Sequence, residues 1–267
     1  MNGFGFSVAG LVVGIAVGAT GVGGGSLMTP ILILFYGISP VLAVGTDLLY
    51  ASISKAFAVA LHGNNGSVDW KIVGWLSIGS VPASLLTLLF IHAYGPGPPL
   101  DELIKLTLAF AVVLTSLGTL FRNRLVAFAN QERFKFLVKL HQRHQILFTV
   151  LSGVAIGTLV TISSVGAGVI GMMLLLLLYP RHPAIKLVGS DLAHAALITG
   201  IAGLGHASLG TVNYDMLMYL LIGALPGIYL GTWVGFRLQD RSLRPLIAGL
   251  LLFIGVGMLG KAVAAQF

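Results

Sequence analysis

The run Thr20-Gly21-Val22-Gly23-Gly24-Gly25-Ser26 breaks one apolar stretch of this chain, and Ser163-Ser164-Val165-Gly166-Ala167-Gly168 breaks another. Gly23 and Gly166 stand 143 positions apart. Backbone that leaves the helix is costly in hydrocarbon unless it is buried in protein or lines a cavity. Paired breaks at matching positions of two halves point to the substrate site of a transporter. We call residues 20–26 the first break and residues 163–168 the second break.

The composition around the breaks is typical of a membrane protein. Of the 267 residues, 57% are hydrophobic and 9% are charged, and the mean hydropathy is +0.98. Soluble domains carry about 25% charged residues. Apolar runs such as residues 174–178 do not alternate as barrel strands do. We therefore predict an all-α polytopic protein that lies in a lipid bilayer.

Several other classes of protein are disfavoured by the sequence. The chain has no cysteine, which excludes disulfides and thiolate chemistry. Phosphate-binding, nucleophile-elbow and metalloprotease motifs are absent, so we expect no enzyme, no cofactor and no metal site. The formal charge of +7 sits between apolar segments, which favours membrane topology over nucleic-acid binding. The N-terminal run lacks a basic region and a cleavage site, so we expect no removable signal peptide.

The two halves of the chain resemble each other beyond the breaks. Gly10 matches Gly153 at an offset of 143, and Gly45-Thr46-Asp47 matches Gly189-Ser190-Asp191 at 144. We predict a first transmembrane repeat over residues 1–121, a basic cytoplasmic linker over 122–144 and a second repeat over 145–267. Each repeat holds one broken segment and three plain apolar ones. These are residues 4–36 (broken), 41–61, 72–93 and 103–121, then 145–179 (broken), 184–205, 216–236 and 243–264.

The distribution of basic residues favours inverted repeats. If each broken segment returns to its own side, by two crossings or as a re-entrant hairpin, 12 basic residues lie inside and 2 outside. If each broken segment crosses once, the division is 8 to 6. The positive-inside rule selects the first layout, with the C-terminus outside. Each half then makes an odd number of plain crossings, so the repeats are inverted, as in many alternating-access carriers.

Each break is predicted to cradle an anion. The helix that resumes after a break presents backbone N–H groups without partners and the positive end of its dipole. Glycine removes the Cβ atoms that keep a ligand away from those donors. Hydroxyls of Thr20, Ser26, Ser163 and Ser164 add further donors, without a full positive charge. The competing interpretation is that the glycines serve only close helix packing.

Two carboxylates lie at equivalent places within apolar segments. Asp47 and Asp191 are candidates for proton or cation coupling, because intramembrane carboxylates are usually functional. His194 lies three residues after Asp191 and shares its helix face. Alternatively, each aspartate caps a helix or ties down a glycine loop. Lys55 shares a face with Asp47; it attracts an anion or extends to the inner surface, and the second interpretation is favoured.

The chain resembles the sulfite exporter TauE/SafE family of bacterial membrane permeases. The likeness rests on Gly18-x-x-Gly21-Val22-Gly23-Gly24-Gly25-Ser26-Leu27-x-x-Pro30-x-Leu32, followed by Gly45-Thr46-Asp47. In the second copy Ala167 replaces a glycine and Met173 stands where Pro30 would project, which makes the two cradles unequal. The resemblance implies export of a small sulfur-containing oxyanion, such as sulfite or sulfoacetate, or of a related organic acid.

Three functions remain open at this point. The leading hypothesis is a secondary carrier that moves a small anion by alternating access. An anion channel with the same cradle is the second, and a membrane-embedded enzyme that uses Asp191 and His194 is the third. Whether two copies pair as a homodimer is left open.

Overall fold

The computed structural model describes residues 3–20, 25–62, 68–95, 97–129, 144–180, 182–235, 248–249, 251–258 and 260. Regular secondary structure in these ranges is entirely α-helical, which confirms the predicted class. The helices are α1 Gly3–Thr20, α2 Gly25–Leu34, α3 Pro40–His62, α4 Trp70–Tyr94, α5 Pro98–Ala129, α6 Gln145–Ser163, α7 Val169–Leu178, α8 Ala184–Ser208 and α9 Tyr214–Gly235. Residues 248–249, 251–258 and 260 are helical as well.

Six of the described helices are long and apolar enough to cross a bilayer. Their candidate spans are Pro40–Ala60, Trp70–Tyr94, Pro98–Phe121, Gln145–Ser163, Ile185–Ser208 and Tyr214–Trp233. Five of them contain or closely match a predicted plain segment, and the sixth is the first part of the second broken segment. The predicted segment 243–264 is described only in part. The chain is therefore a multi-pass membrane protein.

Large apolar side chains cover the outside of the bundle. Trp70 is 70% exposed, Leu86 67% and Phe253 80%. A soluble monomer rarely exposes so much contiguous apolar surface. On helices long enough to span a bilayer, such side chains contact lipid and not water.

Helix α5 is longer than its apolar run predicts. The run 103–121 was expected to end at the basic linker, but α5 continues to Ala129 and so takes in Arg122 and Arg124. Pro98 begins it, as suits a residue without a backbone N–H at the first helical position. Arginine, leucine and alanine are good helix formers, so the helix does not end where hydrophobicity falls.

Glycines bring α1 and α9 into backbone contact. A Cβ at Gly10, Gly14 or Gly18 of α1 would clash with the carbonyl oxygens of Leu220, Ala224 and Ile228 on α9. In return, Gly223, Gly227 and Gly231 of α9 face the carbonyls of Ser7, Leu11 and Ile15. Small residues allow this close approach in membrane helices, where van der Waals packing drives association.

The same arrangement recurs between α6 and α4. Gly153 and Gly157 of α6 face the carbonyl oxygens of Leu76 and Ser80, and Gly79 of α4 faces that of Val150. Thus the first helix of each predicted half packs against the fourth helix of the other half. The glycines occupy the positions that the sequence offsets match.

Helices α3 and α8 pack against each other in the interior. Ser52 Oγ donates to the carbonyl oxygen of Ala196 over 2.9 Å. Further along, Gly203 leaves room for Leu49. Two apolar clusters of buried residues lie around this pair, one including Val13, Met28 and Leu220 and the other Leu48, Leu175 and Ala195. The pair carries Asp47, Lys55, Asp191 and His194 into the protein interior.

Candidate functional site

The second break is present and is buried. Helix α6 ends at Ser163 and α7 begins at Val169. Ser164 adopts the left-handed conformation at φ 58°, while Gly166 and Gly168 have φ values of 115° and 132°. Such angles favour glycine and explain why the helix cannot continue here. The predicted interruption is therefore confirmed at this end of the chain.

Hydrogen bonds hold the second break in shape. Ser163 Oγ accepts from the amide of Val165 at 3.2 Å and donates to the carbonyl of Leu159 at 2.7 Å. The carbonyl oxygens of Gly166 and Gly168 accept from the first turns of α7, from the amides of Gly171 and Met172. The one proton of the Ser163 hydroxyl is thus donated within the second break.

Three backbone amides of the second break have no partner in the part of the chain that the structure describes. No hydrogen bond joins the N–H groups of Gly166, Ala167 or Gly168 to another described group. The hydroxyl of Ser164, 1% exposed, lies near the Asp47 carboxylate but makes no hydrogen bond within 3.5 Å to a described residue. Buried donors without partners are rare, because each costs about 1–3 kcal/mol. An anion is the ligand that such a group of donors suits.

The first break lies mostly outside the described residues. Helix α1 ends at Thr20 and α2 begins at Gly25. Gly21, Val22, Gly23 and Gly24 fall outside the described ranges, as do the side chains of Thr20 and Ser26. The cradle predicted there stays a prediction.

Both ends of each broken segment lie together. At the second, Gln145 Nε2 donates to the carbonyl of Leu178 over 2.7 Å, so the start of α6 touches the end of α7. At the first, the hydroxyl of Tyr36 donates to the carbonyl of Gly5 over 2.6 Å. The end of each broken segment therefore lies beside its start.

Asp47 lies on α3, fully buried, and holds α2. Its Oδ2 accepts from the amide of Thr29 at 3.2 Å and also from the Thr29 hydroxyl. Its Oδ1 has no partner among the described residues. Asp47 does not cap its own helix, since it lies well inside Pro40–His62. One oxygen fixes the half-helix after the first break and the other is left for a further contact.

Asp191 occupies the equivalent place on α8 and faces α7. A Cβ at Gly171 would overlap Asp191 Oδ1, so the missing side chain makes room for the carboxylate. That oxygen has no hydrogen-bond partner in the described ranges. His194, on the same helix, pairs through Nε2 with Ser80 Oγ at 2.9 Å. The structure thus places His194 against α4 instead of pairing it with Asp191.

Lys55 contradicts the favoured prediction that it extends to the membrane surface. It is 1% exposed, and its ammonium donates to the carbonyl oxygen of Ala167 in the second break over 3.3 Å. Its charge acts on both Asp47 and Asp191. The long aliphatic stem of Lys55 reaches inward because Lys55 lies on a buried face of α3, whereas Ile53 on the same helix is exposed. One feature of the sequence could have indicated a special role for Lys55. The equivalent position in the second half, 144 residues later, holds the neutral residue Thr199.

The hydroxyls next to the two aspartates link the halves. Thr46 Oγ1 accepts from the amide of Asn213 at 3.0 Å, immediately before α9. In the other half, Ser190 Oγ accepts from the amide of Asp69 at 2.8 Å, immediately before α4. Asn213 and Asp69 are themselves equivalent positions, so the two contacts are reciprocal. Sequence reasoning singled out the aspartates of these triplets and missed the role of the hydroxyls.

Comparison with known proteins places the chain in a family. Residues 6–258 match the family described as sulfite exporter TauE/SafE. The chain is 35% identical to the probable membrane transporter protein YjnA of Bacillus subtilis, over 94% of this chain and 97% of the relative. A probable membrane transporter protein of Xylella fastidiosa is 26% identical over 91% of this chain and 89% of its own length. No solved structure matches. The chain therefore belongs to the sulfite exporter TauE/SafE family and is a membrane transporter.

Proposed function

We propose that the chain is a secondary transporter that exports a small sulfur-containing or organic anion, such as sulfite or sulfoacetate. The anion is held at the paired glycine-rich breaks and is carried by alternating access of two inverted repeats. The observation that carries the proposal is the second break, where unpaired amides and the Ser164 hydroxyl lie buried beside Lys55. The name of the family supports the sulfur oxyanion as substrate.

Inverted repeats are supported by the contacts between the two halves. If each broken segment folds back, three plain crossings remain in each half, the last of the second half being predicted from the sequence. Three is an odd number, so the halves 1–121 and 145–267 would run in opposite directions. Their reciprocal packing, α1 on α9 and α6 on α4, is what a two-fold relation between them produces. The linker 122–144 then lies on the cytoplasmic side of the inner membrane, as its basic residues favour. Such repeats rock against each other around a fixed site.

A thermal-shift screen tests the proposal with purified full-length protein. Sulfite, sulfate, thiosulfate, sulfoacetate and simple carboxylates are compared at equal ionic strength with chloride. A ligand that binds only the folded state stabilises it by about 2.7 kcal/mol at one hundred times its Kd. We expect one or more sulfur oxyanions to raise the melting temperature. No shift with any of these anions would contradict an anion site.

Transport in proteoliposomes separates the carrier from a channel. A carrier shows saturation and counterflow, because substrate on one side speeds the return of the site to the other. We expect labelled sulfite to accumulate transiently against unlabelled internal sulfite. Flux that rises linearly with concentration and shows no counterflow would assign the chain to the channels.

A further inference from the structure

The ammonium of Lys55 is buried beside the second break and forms no direct ion pair with any residue that the structure describes. Lysine is almost never fully buried unless it is paired. The ammonium of Lys55 has three N–H donors, and the carbonyl of Ala167 is the acceptor it has in the described part of the chain. Within the described ranges its two other donors have no acceptor, which suits an oxygen-rich ligand.

Two carboxylates lie near this cation but do not bind it directly. The charge of Lys55 acts on Asp47 and Asp191, yet the described residues contain no ion pair within 4.0 Å between Lys55 and either carboxylate. The Oδ1 atom of each carboxylate is unpartnered in these same ranges. The ammonium is therefore balanced by charge at a distance while its donors remain open.

The site is not duplicated in the other half. The position equivalent to Lys55 is Thr199, whose hydroxyl is buried and donates to the carbonyl of Ala195 over 2.7 Å. A neutral, satisfied side chain there adds no attraction for an anion. The charge pattern thus breaks the symmetry of the repeats.

We propose that Lys55 is a substrate-binding residue and that it makes the second break the high-affinity site of the pair, which takes one small oxyanion per chain. This deepens the proposed function and rests on it. The oxyanion accepts hydrogen bonds from the free donors of Lys55 and from Ser164 Oγ, which is buried and unpartnered in the described residues. Charge-assisted hydrogen bonds of this kind are about twice as strong as neutral ones.

The carboxylates give the site its reversibility. Burying an isolated ammonium is costly, so an empty site needs compensating negative charge. Asp47 and Asp191 supply it without occupying the donors of Lys55. When the anion binds, it becomes the directly bonded partner of the ammonium. When it leaves, the charge of the ammonium is again balanced by the carboxylates at a distance. The anion is therefore bound firmly enough for selection and is still released.

Calorimetric titration of the purified full-length protein tests the assignment, with sulfite and sulfoacetate as probes. Wild-type protein is expected to bind one anion per chain. Lys55→Gln removes the charge at similar length, and we expect the Kd to rise at least about tenfold, which corresponds to about 1.4 kcal/mol. Lys186→Gln is the matched control, because it removes the same charge from an exposed position on α8. Binding by Lys55→Gln within about twofold of wild type, or two equal sites per chain, would overturn the proposal.

Two further variants separate binding from folding. The pair Lys55→Gln with Asp191→Asn removes one buried charge of each sign, so we expect it to restore the melting temperature without restoring affinity. If the pair restores both, Lys55 is structural and the proposal is wrong. Ser164→Gly keeps the left-handed backbone and removes the hydroxymethyl side chain with its hydroxyl, and weaker anion binding at an unchanged melting temperature is expected. If wild-type protein binds neither anion, the proposed function fails, and this assignment fails with it. If wild-type protein binds an anion and Lys55→Gln binds it equally well, this assignment alone fails.

Discussion

Lys55 Nζ donates to the carbonyl oxygen of Ala167 over 3.3 Å, which joins α3 of one half to the break in the other half across 112 positions of sequence. The contact lies among Asp47, Asp191 and the buried Ser164. A transporter has to couple ligand binding to relative movement of its halves. A side chain that belongs to one half and reaches the loop of the other is placed to do so.

The orientation of the chain in the membrane is the first prediction. We expect residues 122–144 and the loop around 237–244 on the cytoplasmic side and the C-terminus outside, because that layout places 12 basic residues inside and 2 outside. Fusion of the C-terminus to alkaline phosphatase, which is active outside the cytoplasm, and to green fluorescent protein measures the side directly. Fluorescence without phosphatase activity would contradict the inverted-repeat layout.

Close packing of glycine against backbone predicts the cost of a single methyl group. Gly157→Ala on α6 places a Cβ against the carbonyl oxygen of Ser80, and neither backbone can move away without shifting a helix. We expect a loss of about 1–3 kcal/mol of stability, seen as a lower melting temperature. Gly74→Ala on α4 is the control, since no atom lies within 4 Å of its added Cβ. Equal melting temperatures for the two variants would argue against backbone contact between α4 and α6.

A bulky residue in the second break is expected to impair anion binding. Gly166→Val introduces a branched side chain at φ 115° and brings its Cβ to 3.0 Å from Leu159 Cδ2. The backbone of the break is then displaced, and the positions of its free amides change with it. Gly95→Val controls for backbone strain, because Gly95 has φ 75° at the end of α4, with no atom within 4 Å of an added Cβ.

Thermal-shift titration with sulfite compares these two variants. Both are expected to lose stability, and only Gly166→Val is expected to lose the stabilisation by the anion. Gly24→Val is the parallel test of the first break, which the sequence alone proposes. Normal anion binding and transport by both Gly24→Val and Gly166→Val would rule out the cradle.

Coupling to protons is tested by removing one carboxylate at a time. Asp47→Asn keeps an oxygen that accepts from Thr29, and Asp191→Asn keeps the shape that Gly171 accommodates. If either group carries a coupling proton, uptake driven by a pH gradient falls while anion exchange survives. Among the described residues, Lys55 acts on both carboxylates, Tyr50 lies near Asp47 and His194 lies near Lys55. Exchange and gradient-driven uptake are measured in the same proteoliposomes.

A purely structural role of the two aspartates predicts a different result. Asparagine satisfies Thr29 about as well as aspartate satisfies it, so a purely structural role leaves both transport modes intact. If transport keeps the same pH dependence in both variants, neither aspartate carries a coupling proton. Asp47 would then serve to position α2, and Asp191 to position Lys55.

Sequence periodicity and composition were enough to predict the class of the protein and most of its helices. The apolar runs had the length that a bilayer core requires, and the helices found for them begin and end within a few residues of those runs. The second break was also predictable, because glycine at Gly166 and Gly168 marks backbone that cannot stay helical. Among the described helices, hydrophobicity misplaced the end of α5, because good helix formers continue that helix beyond its apolar run.

The tertiary structure decided which side chains meet at the site. Lys55 is adjacent to a break 112 residues away because α3 packs in the interior, and no local pattern distinguishes an inward lysine from one that extends to the surface. Likewise, Thr29 reaches Asp47 and Ser80 reaches His194 through helix packing. Composition and spacing determine which segments form helices, since that depends on near neighbours and on the solvent. Which charges share a buried space depends on contacts between distant segments, and those exist only once the helices have packed.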